Sequence, residues 1–288
     1  MANLWRIIDV LQWTAEYFKN KGIENPRLDA EVLISHALGI DRLGLYLNYD
    51  RPLDEEERSR IREYVKRRAL REPVHYIIGK REFWSLEFDV APSVLIPRPE
   101  TEVLVENVRD RIIARSYSTV VDIGTGSGAI AVALAHEIPS IKVVATDLSF
   151  EAVLLAGRNA VKHGVKERID FVVMNLMEGF GHKARFDVIV SNPPYISDKE
   201  FKSLPPEVRD YEPATALLGG GPDGLDTIRR LMREAWRFLK PGGMLCFEIG
   251  FGQSEAVLRY AAGIKEYTER AIIKDYAGIP RVVCLERG

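Results

Sequence analysis

The segment TVVDIGTGSGA, residues 119–129, decides the fold class of this 288-residue chain. Its first five residues form an apolar, β-branched run typical of a buried strand, and the glycine-rich turn leads into a helix expected from about Ser127. Strand-like and helix-like segments alternate from there onward, which is the pattern of a parallel sheet with helices on both faces. The sequence therefore predicts an α/β fold.

Seven segments are expected to form the strands of this sheet. The last two follow one another without an intervening helix, so we expect a mostly parallel sheet that finishes with an antiparallel strand. A helix is expected over residues 150–163 and another over 225–239, where Lys240-Pro241-Gly242-Gly243 would end it. The predicted strands are residues 119–123, 141–146, 169–174, 186–191, 244–249, 267–273 and 282–286.

The chain before this region has a helical pattern instead. Ile7, Leu11 and Phe18 recur at the spacing of one helix face, and a second helix is expected to begin at Pro26. A third, over residues 54–71, starts with acidic and ends with basic residues, as the helix dipole favours. The predicted parts of the chain are a helical domain over residues 1–79, a hairpin and proline-rich linker over 80–97, and an α/β domain over 98–288.

Composition and charge narrow the class of protein. Apolar residues make up 46% of the chain and charged residues 28%, which is typical of a globular protein. The formal net charge of -2 is spread evenly, with 15 basic and 16 acidic residues up to position 96 and 25 and 26 after it. Because neutralising phosphates supplies much of the affinity for nucleic acid, direct nucleic-acid binding is disfavoured.

The sequence also bears on location and on metal binding. A signal peptide and a membrane span are not expected, since the first residues lack a cleavage pattern and no apolar run approaches roughly 18 residues. Cys246 and Cys284 lie in apolar, strand-like runs, which favours buried thiols in a reducing compartment and a cytoplasmic protein. No metal site is predicted, because the histidines lack the spacing of metal ligands. They are His36, His75, His136, His163 and His182.

The glycine-rich turn, Gly124-Thr125-Gly126-Ser127-Gly128, is a candidate cofactor site. Glycines permit a tight turn and a close approach by a ligand at the carboxyl edge of the sheet. Asp147 stands twenty-three residues after Gly124, at the end of the next predicted strand. A carboxylate there accepts hydrogen bonds from ribose hydroxyls. The spacing therefore indicates an adenosine-containing cofactor, and by itself leaves NAD and S-adenosylmethionine open.

The segment Asn192-Pro193-Pro194-Tyr195 follows the fourth predicted strand and should open beside the glycine-rich turn. The two prolines make it a stiff, extended loop. The side-chain oxygen of Asn192 and a backbone carbonyl can together accept both hydrogens of an NH2 group, and the Tyr195 ring offers a flat face to a planar substrate. This chemistry suits methyl transfer to a planar nitrogen, whose delocalised lone pair must be held in line with the methyl donor.

Other functions remain as alternatives. An enzyme that methylates the amino group of a nucleic-acid base would use the same loop, but would favour a basic groove that the charge balance does not indicate. A dinucleotide oxidoreductase would leave the Asn-Pro-Pro-Tyr loop unexplained. A binding protein that retains the fold without catalysis is the fourth possibility.

With these motifs in view, the chain resembles the release-factor glutamine N5-methyltransferases, the HemK/PrmC family, over nearly its whole length. The stretches that carry the resemblance are Gly79–Trp84 (GKREFW), Ile96–Glu102 (IPRPETE), Asp122–Ile130, Ser191–Tyr195 and Tyr211–Pro213 (YEP). The resemblance implies a helical N-terminal domain that helps to seat a protein substrate. It also implies a Rossmann-like methyltransferase domain that uses S-adenosylmethionine on the glutamine of the Gly-Gly-Gln loop of peptide-chain release factors.

The family's functional residues map onto this sequence as follows. The resemblance implies that residues 124–128 and Asp147 hold the cofactor and that Asn192 contacts both cofactor and glutamine. One departure concerns the position after the third strand, where relatives often carry an acidic and an aromatic residue; this chain has Asn175-Leu176, and Leu176 is the expected cofactor contact. The predicted catalytic residues are Asn192, Pro193 and Tyr195, and the predicted substrate-binding residues are Asn192, Pro193, Pro194, Tyr195, Phe83 and Arg98.

Overall fold

The structure is a computed structural model that describes residues 5–181 and 185–288. The chain forms two compact units. One runs to Lys80 and also includes Pro205–Tyr211, and the other consists of Arg81–Leu204 and Glu212–Gly288. The inclusion of Pro205–Tyr211 in the first unit was not expected from the sequence, because nothing local distinguishes this stretch from a surface loop.

The helices and strands of the described residues alternate after an all-helical beginning. A 3-10 turn, Lys166–Arg168, also precedes one strand. The helices are α1 (Ile7–Asn20), α2 (Pro26–Leu38), α3 (Arg42–Leu47), α4 (Glu55–Ala69), α5 (Val74–Ile78), α6 (Thr101–Arg115), α7 (Ala129–Glu137), α8 (Phe150–Lys162), α9 (Asp198–Phe201), α10 (Pro206–Arg209), α11 (Ala214–Leu217), α12 (Asp226–Ala235) and α13 (Ser254–Ala262). The strands are β1 (Lys80–Phe83), β2 (Leu86–Asp89), β3 (Thr119–Ile123), β4 (Lys142–Asp147), β5 (Ile169–Val173), β6 (Phe186–Ser191), β7 (Leu239–Glu248), β8 (Tyr267–Lys274) and β9 (Pro280–Arg287).

The helical unit is built as its pattern predicts. Ile7, Leu11 and Phe18 are buried on one face of α1 and pack in the core of this unit. Helix α4 begins where the acidic run starts, because Asp54 accepts a 2.8 Å hydrogen bond from the backbone N–H of Glu57. Such a cap contributes about 1 kcal/mol. Apolar periodicity and capping together explain why this part of the chain is helical.

Polar contacts fasten the segment Pro205–Tyr211 within the helical unit. The buried Arg68 donates to Asp29 at 2.7 Å and to Glu207 at 3.0 Å. The Tyr211 hydroxyl donates to the backbone oxygen of Leu70 at 2.6 Å. These contacts account for the grouping of this short segment with helices far from it in sequence.

The seven-stranded sheet has the order β5-β4-β3-β6-β7-β9-β8. Strands β3 to β7 pair in parallel, and β9 pairs antiparallel with both β7 and β8. The predicted α/β class and antiparallel finish are therefore confirmed. The largest boundary difference is at β7: the helix expected to run to residue 239 ends at Ala235, and β7 begins at Leu239, which pairs with Phe186. A register shift accommodates the Pro-Gly-Gly stretch that was expected to lie before the strand.

The two cysteines face each other across β7 and β9. Cys246 and Cys284 are partners in the strand register, with Cα atoms 4.3 Å apart, and both are buried. Their predicted burial is confirmed, but the expectation of free thiols is wrong, because the structure joins the two sulfurs in a disulfide. A sequence separation of 38 residues hides this pairing until the strand order is known.

Within the described ranges, every helix is too short or too polar to cross a lipid bilayer. The hairpin expected within residues 80–97 is formed by β1 and β2, joined through Trp84 and Ser85.

Asp187 ties together the beginnings of three strands. Its carboxylate accepts hydrogen bonds from the backbone N–H groups of Ser118 and Thr119, at 3.0 and 2.9 Å. It also forms a 2.8 Å ion pair with Lys240. Burial acts to raise the pKa of Asp187, but these partners outweigh it and lower the pKa to about 2. The ionised form is thus favoured by the fold.

We expect Asp187→Asn to lower the free energy of unfolding by about 2 kcal/mol at neutral pH, which corresponds to the lowering of the Asp187 pKa from 3.8 to about 2. Since the folded-state pKa lies below its ordinary value of 3.8, this contribution is complete above pH 3.8 and is lost as the pH falls toward 2. Urea unfolding from pH 7 to pH 2 measures it, with the exposed Asp170→Asn as the control. If the wild-type protein and Asp187→Asn differed in unfolding free energy by the same amount at every pH, the proposed role of the Asp187 charge would be contradicted.

Candidate active site

A cleft of about 870 Å³ opens at the carboxyl ends of the central strands. Strand β3 lies between β4 and β6, so the segments that follow these three strands share one edge of the sheet. Three of the predicted site residues do not line the cleft: Pro193 and Tyr195 of the Asn-Pro-Pro-Tyr loop, and Gly128 of the glycine-rich turn. The predicted residues that line it are Phe83, Arg98, Gly124, Thr125, Gly126, Ser127, Asp147, Leu176, Asn192 and Pro194.

The glycines of the turn have different reasons to be glycine. Gly126 has a φ of +56°, and a Cβ added to it would meet no atom within 4 Å, so the turn leaves open space on the side of the cleft. Gly128 has a φ of +84°, but its added Cβ would lie 3.0 Å from the Cβ of Ala156. Gly128 therefore permits close packing against α8, which explains why it does not line the cleft.

Asp147, the last residue of β4, holds the glycine-rich turn in place. Its carboxylate oxygens accept hydrogen bonds from the backbone N–H groups of Gly126 and Ser149, both at 2.9 Å. Burial raises the pKa of Asp147, opposed by these hydrogen bonds. A carboxylate has about four acceptor sites, so Asp147 keeps acceptor capacity for a ligand. An open glycine cradle beside such a carboxylate fits an adenosine-containing cofactor, whose ribose hydroxyls can donate to the carboxylate.

Asp122 supports the turn from within the sheet, and the sequence analysis did not single it out. It is fully buried, and its Oδ2 accepts a 2.7 Å hydrogen bond from the Thr125 hydroxyl. Burial raises its pKa to about 7, against the hydrogen bonds from Thr125 and from the backbone of Ala131. A lone acidic residue in an otherwise apolar strand is the signal that would have identified it.

The Asn-Pro-Pro-Tyr loop is anchored at both of its ends. Asn192 Nδ2 donates to the Thr101 hydroxyl at 3.1 Å, and the Tyr195 hydroxyl donates to Glu248 at 3.1 Å. Behind the loop, Gln253 Nε2 donates to the backbone oxygen of Tyr195 at 2.8 Å. The stiffness expected from the prolines is thus reinforced by hydrogen bonds to α6, β7 and the residue before α13.

Tyr195 is placed differently from the expectation that its ring offers a flat face in the cleft. The ring packs, partly buried, against the apolar core under the sheet, and burial together with Glu248 raises the pKa of its hydroxyl. Pro193 is buried as well. Both residues therefore support the loop in this structure, whereas Asn192 and Pro194 line the cleft.

Arg98 and Phe83 line another part of the cleft wall. The Arg98 guanidinium is paired with Glu212, a buried carboxylate that also accepts a 3.2 Å hydrogen bond from the backbone N–H of Ile96. Phe83 is only 1% exposed and packs edge to face against Phe88, with ring centroids 6.1 Å apart. Phe83 is thus chiefly a core residue, and Arg98 orders the segment that enters α6.

Leu176 is the last of the predicted cofactor-binding residues. Leu176 lines the cleft with a φ of +50°, an uncommon conformation for leucine. Asp223 does not line the cleft and is paired with Arg229. In the described ranges, no group of three or more His, Cys, Asp or Glu residues is arranged to hold a metal ion, and His182 lies outside these ranges.

Comparison with known proteins places this arrangement in a family. A model described as the PrmC N-terminal domain matches residues 9–79, and one described as the methyltransferase small domain matches residues 99–204. Among solved structures, the 16S rRNA N2 G1207 methyltransferase (RsmC) of T. thermophilus, in complex with AdoMet and guanosine, aligns with a TM-score of 0.53 at 20% identity. The alignment covers 73% of this chain and 50% of that one, and it supports the fold.

Two curated relatives are similar over most of their length. The release factor glutamine methyltransferase of Geobacter sulfurreducens is 51% identical over 88% of this chain and 88% of its own. That of Rhodopirellula baltica is 41% identical over 98% of this chain and 97% of its own. With a glycine-rich turn and an Asn-Pro-Pro-Tyr loop at one sheet edge, and relatives of this similarity, the chain belongs to the release factor glutamine methyltransferase family.

Proposed function

We propose that this protein transfers a methyl group from S-adenosylmethionine to the side-chain amide nitrogen, N5, of the glutamine in the Gly-Gly-Gln loop of peptide-chain release factors. The observation that carries the proposal is the position of Asn192 in the cleft that the glycine-rich turn also lines, with its Nδ2 engaged by Thr101. Its Oδ1 is then available to accept a hydrogen bond from an amide NH2 group. The family supports the choice of substrate.

The cofactor would be held by the turn and by Asp147. When bound, S-adenosylmethionine supplies a methyl group on a positively charged sulfur. The open face of Gly126 admits the ligand beside the backbone, and the Asp147 carboxylate accepts from its ribose hydroxyls. Residues 124–127 and Leu176 complete the surface against which it would lie.

Asn192 would orient the nucleophile. The lone pair of an amide nitrogen is delocalised, so the nitrogen must be held in line with the carbon that it attacks. A hydrogen bond from the amide to Asn192 Oδ1 fixes this orientation and favours the positive charge that develops on the nitrogen as the new N–C bond forms. The bond between the methyl carbon and the sulfonium sulfur would break as the N–C bond forms, its electron pair staying on the sulfur, and the nitrogen would then lose one proton to solvent. Pro194 lines the same wall and limits the movement of the glutamine.

The helical unit, with the residues up to Lys80, is the proposed recognition domain for the protein substrate. This assignment follows the match of residues 9–79 to the PrmC N-terminal domain. The even charge balance supports a protein substrate over the alternative, the amino group of a nucleic-acid base. Acting on release factors places the proposed reaction in the cytoplasm.

Labelled S-adenosylmethionine tests the proposed function directly. The protein should label a release factor, and should not label the same factor with its loop glutamine changed to glutamate, which keeps the shape but lacks the NH2 group. Equal labelling of both factors would contradict the glutamine assignment. Labelling of RNA or DNA in parallel reactions, without labelling of the factor, would support base methylation instead.

Gly126→Ala should weaken S-adenosylmethionine binding at least tenfold, because the added methyl group projects into the space proposed for the cofactor. Gly164→Ala is the matched control: Gly164 also has a positive φ, +68°, and open space around an added Cβ, but it does not line the cleft. Isothermal titration calorimetry compares the two. Both variants should lose about 1 kcal/mol of stability from backbone strain. Equal affinity in both would refute the placement of the cofactor.

Asn192→Ala should lower kcat at least a hundredfold, on the scale of losing one well-placed hydrogen-bonding group in the transition state. Cofactor affinity should fall by less, because the turn and Asp147 remain. Single-turnover methylation and calorimetry measure the two effects, with Asn107→Ala on α6, outside the cleft lining, as the control. Unchanged turnover in Asn192→Ala would exclude the proposed role.

A further inference from the structure

We propose that Glu248 is a positioning residue for methyl transfer, which fixes through the Thr101 hydroxyl the direction in which the Asn192 amide points. This inference rests on the proposed function, since it concerns how Asn192 receives the substrate amide. It adds two residues to the site that act through Asn192. Both are far from Asn192 in sequence and were not among the predicted site residues.

The proposal begins with a continuous chain of hydrogen bonds. Thr101 Oγ1 donates to Glu248 Oε2 at 2.6 Å, and Asn192 Nδ2 donates to Thr101 Oγ1 at 3.1 Å. On the other carboxylate oxygen, the Tyr195 hydroxyl donates to Oε1 at 3.1 Å. Glu248 is only 1% exposed. One buried carboxylate therefore holds both ends of the Asn-Pro-Pro-Tyr loop.

The direction of each hydrogen bond follows from the chemistry of the groups. Burial raises the pKa of Glu248, and the hydrogen bonds from Thr101 and Tyr195 oppose this by favouring its charged form. In that ionised form the carboxylate can only accept, so the single hydroxyl hydrogen of Thr101 points to Glu248. The Thr101 oxygen then offers a lone pair, which only the NH2 end of the Asn192 amide can use. The carbonyl end of Asn192 is left for the cleft that this residue lines.

This polarity matters because the two ends of an asparagine amide are almost equal in size. If the amide were turned over, its NH2 group would face the NH2 group of the substrate, and two donors would meet. Steric packing alone separates the two orientations poorly. The Glu248 carboxylate makes the Thr101 oxygen a fixed hydrogen-bond acceptor, and this favours the orientation in which the Asn192 NH2 group faces Thr101.

The surroundings of Glu248 argue against a merely structural charge. A buried carboxylate is costly and is normally matched by a cation. The nearby cation, Arg281, is already paired with Asp275 at 3.1 Å. Two hydroxyls, those of Thr101 and Tyr195, donate to Glu248, and both connect it to the loop.

The test compares Thr101→Val, which keeps the shape but removes the hydroxyl, with Thr101→Ser, which keeps the hydroxyl. In methylation of a release factor, Thr101→Val should lower kcat about tenfold with little change in the affinity for S-adenosylmethionine, and Thr101→Ser should restore most of the activity. Equal kcat values for the Val and Ser variants, with the wild-type protein active, would overturn the proposal and leave the proposed function intact.

Glu248→Leu gives a sharper readout. Without the carboxylate, the Thr101 hydroxyl is free to donate to the Asn192 oxygen and to hold the amide in the wrong direction. Glu248→Leu should therefore lower kcat more than Thr101→Val does, and the double variant should be no slower than Glu248→Leu alone. Additive losses in the double variant would indicate independent structural roles and contradict the chain of hydrogen bonds. If Glu248→Leu does not fold, the Val and Ser pair decides.

A second measurement is independent of methyl transfer. In 1H–15N spectra, the side-chain NH2 of Asn192, assigned by its loss in Asn192→Ala, should exchange slowly in the wild-type protein and in Thr101→Ser. It should exchange faster in Thr101→Val. Equal exchange in all three proteins would refute the hydrogen bond to Thr101. If the wild-type protein methylated no release factor, the proposed function would fail, and these spectra would still test the orientation of the amide.

Discussion

The site depends on the parallel pairing of β3 with β6. Ile123 is the register partner of Ser191, and the Ser191 hydroxyl donates a 2.7 Å hydrogen bond to the backbone oxygen of Ile123. The glycine-rich turn begins at the residue after one of these partners, and Asn192 follows the other. Because a shift by one residue would reverse the faces of a strand, this pairing fixes the separation between the proposed cofactor cradle and the proposed nucleophile site.

Around this pairing, each support has a distinct physical basis. Asp147 and Asp122 hold the turn through hydrogen bonds to its backbone and to Thr125. The loop is held by a buried carboxylate, Glu248, acting on hydroxyl groups. Preorganised polar groups of this kind can favour a transition state without rearranging during the reaction. The hydrogen bonds around the cleft thus restrict the movement of the glycine-rich turn and of the Asn-Pro-Pro-Tyr loop.

The sequence alone predicts the parts of this site that follow from local pattern. Strand ends, the glycine-rich turn and the Asn-Pro-Pro-Tyr loop are each encoded by neighbouring residues, and parallel strand order brings them together. The contact between Thr101 and Glu248 joins positions 147 residues apart, and no local feature marks it. For the same reason the disulfide and the packing of the partly buried Tyr195 ring against the core were missed. Tertiary proximity of single polar residues requires the strand order and register.

The membership of Pro205–Tyr211 in the helical unit has a consequence for the evolution of the chain. A gene encoding residues from Arg81 onward would still carry this segment, yet it would lack Arg68 and Leu70, which bind Glu207 and Tyr211. The helical unit therefore cannot be removed as an N-terminal segment without leaving part of it, Pro205–Tyr211, in the remaining chain. Exchange of this unit between related enzymes would require a matching change in the inserted segment, so the two stretches should be inherited together.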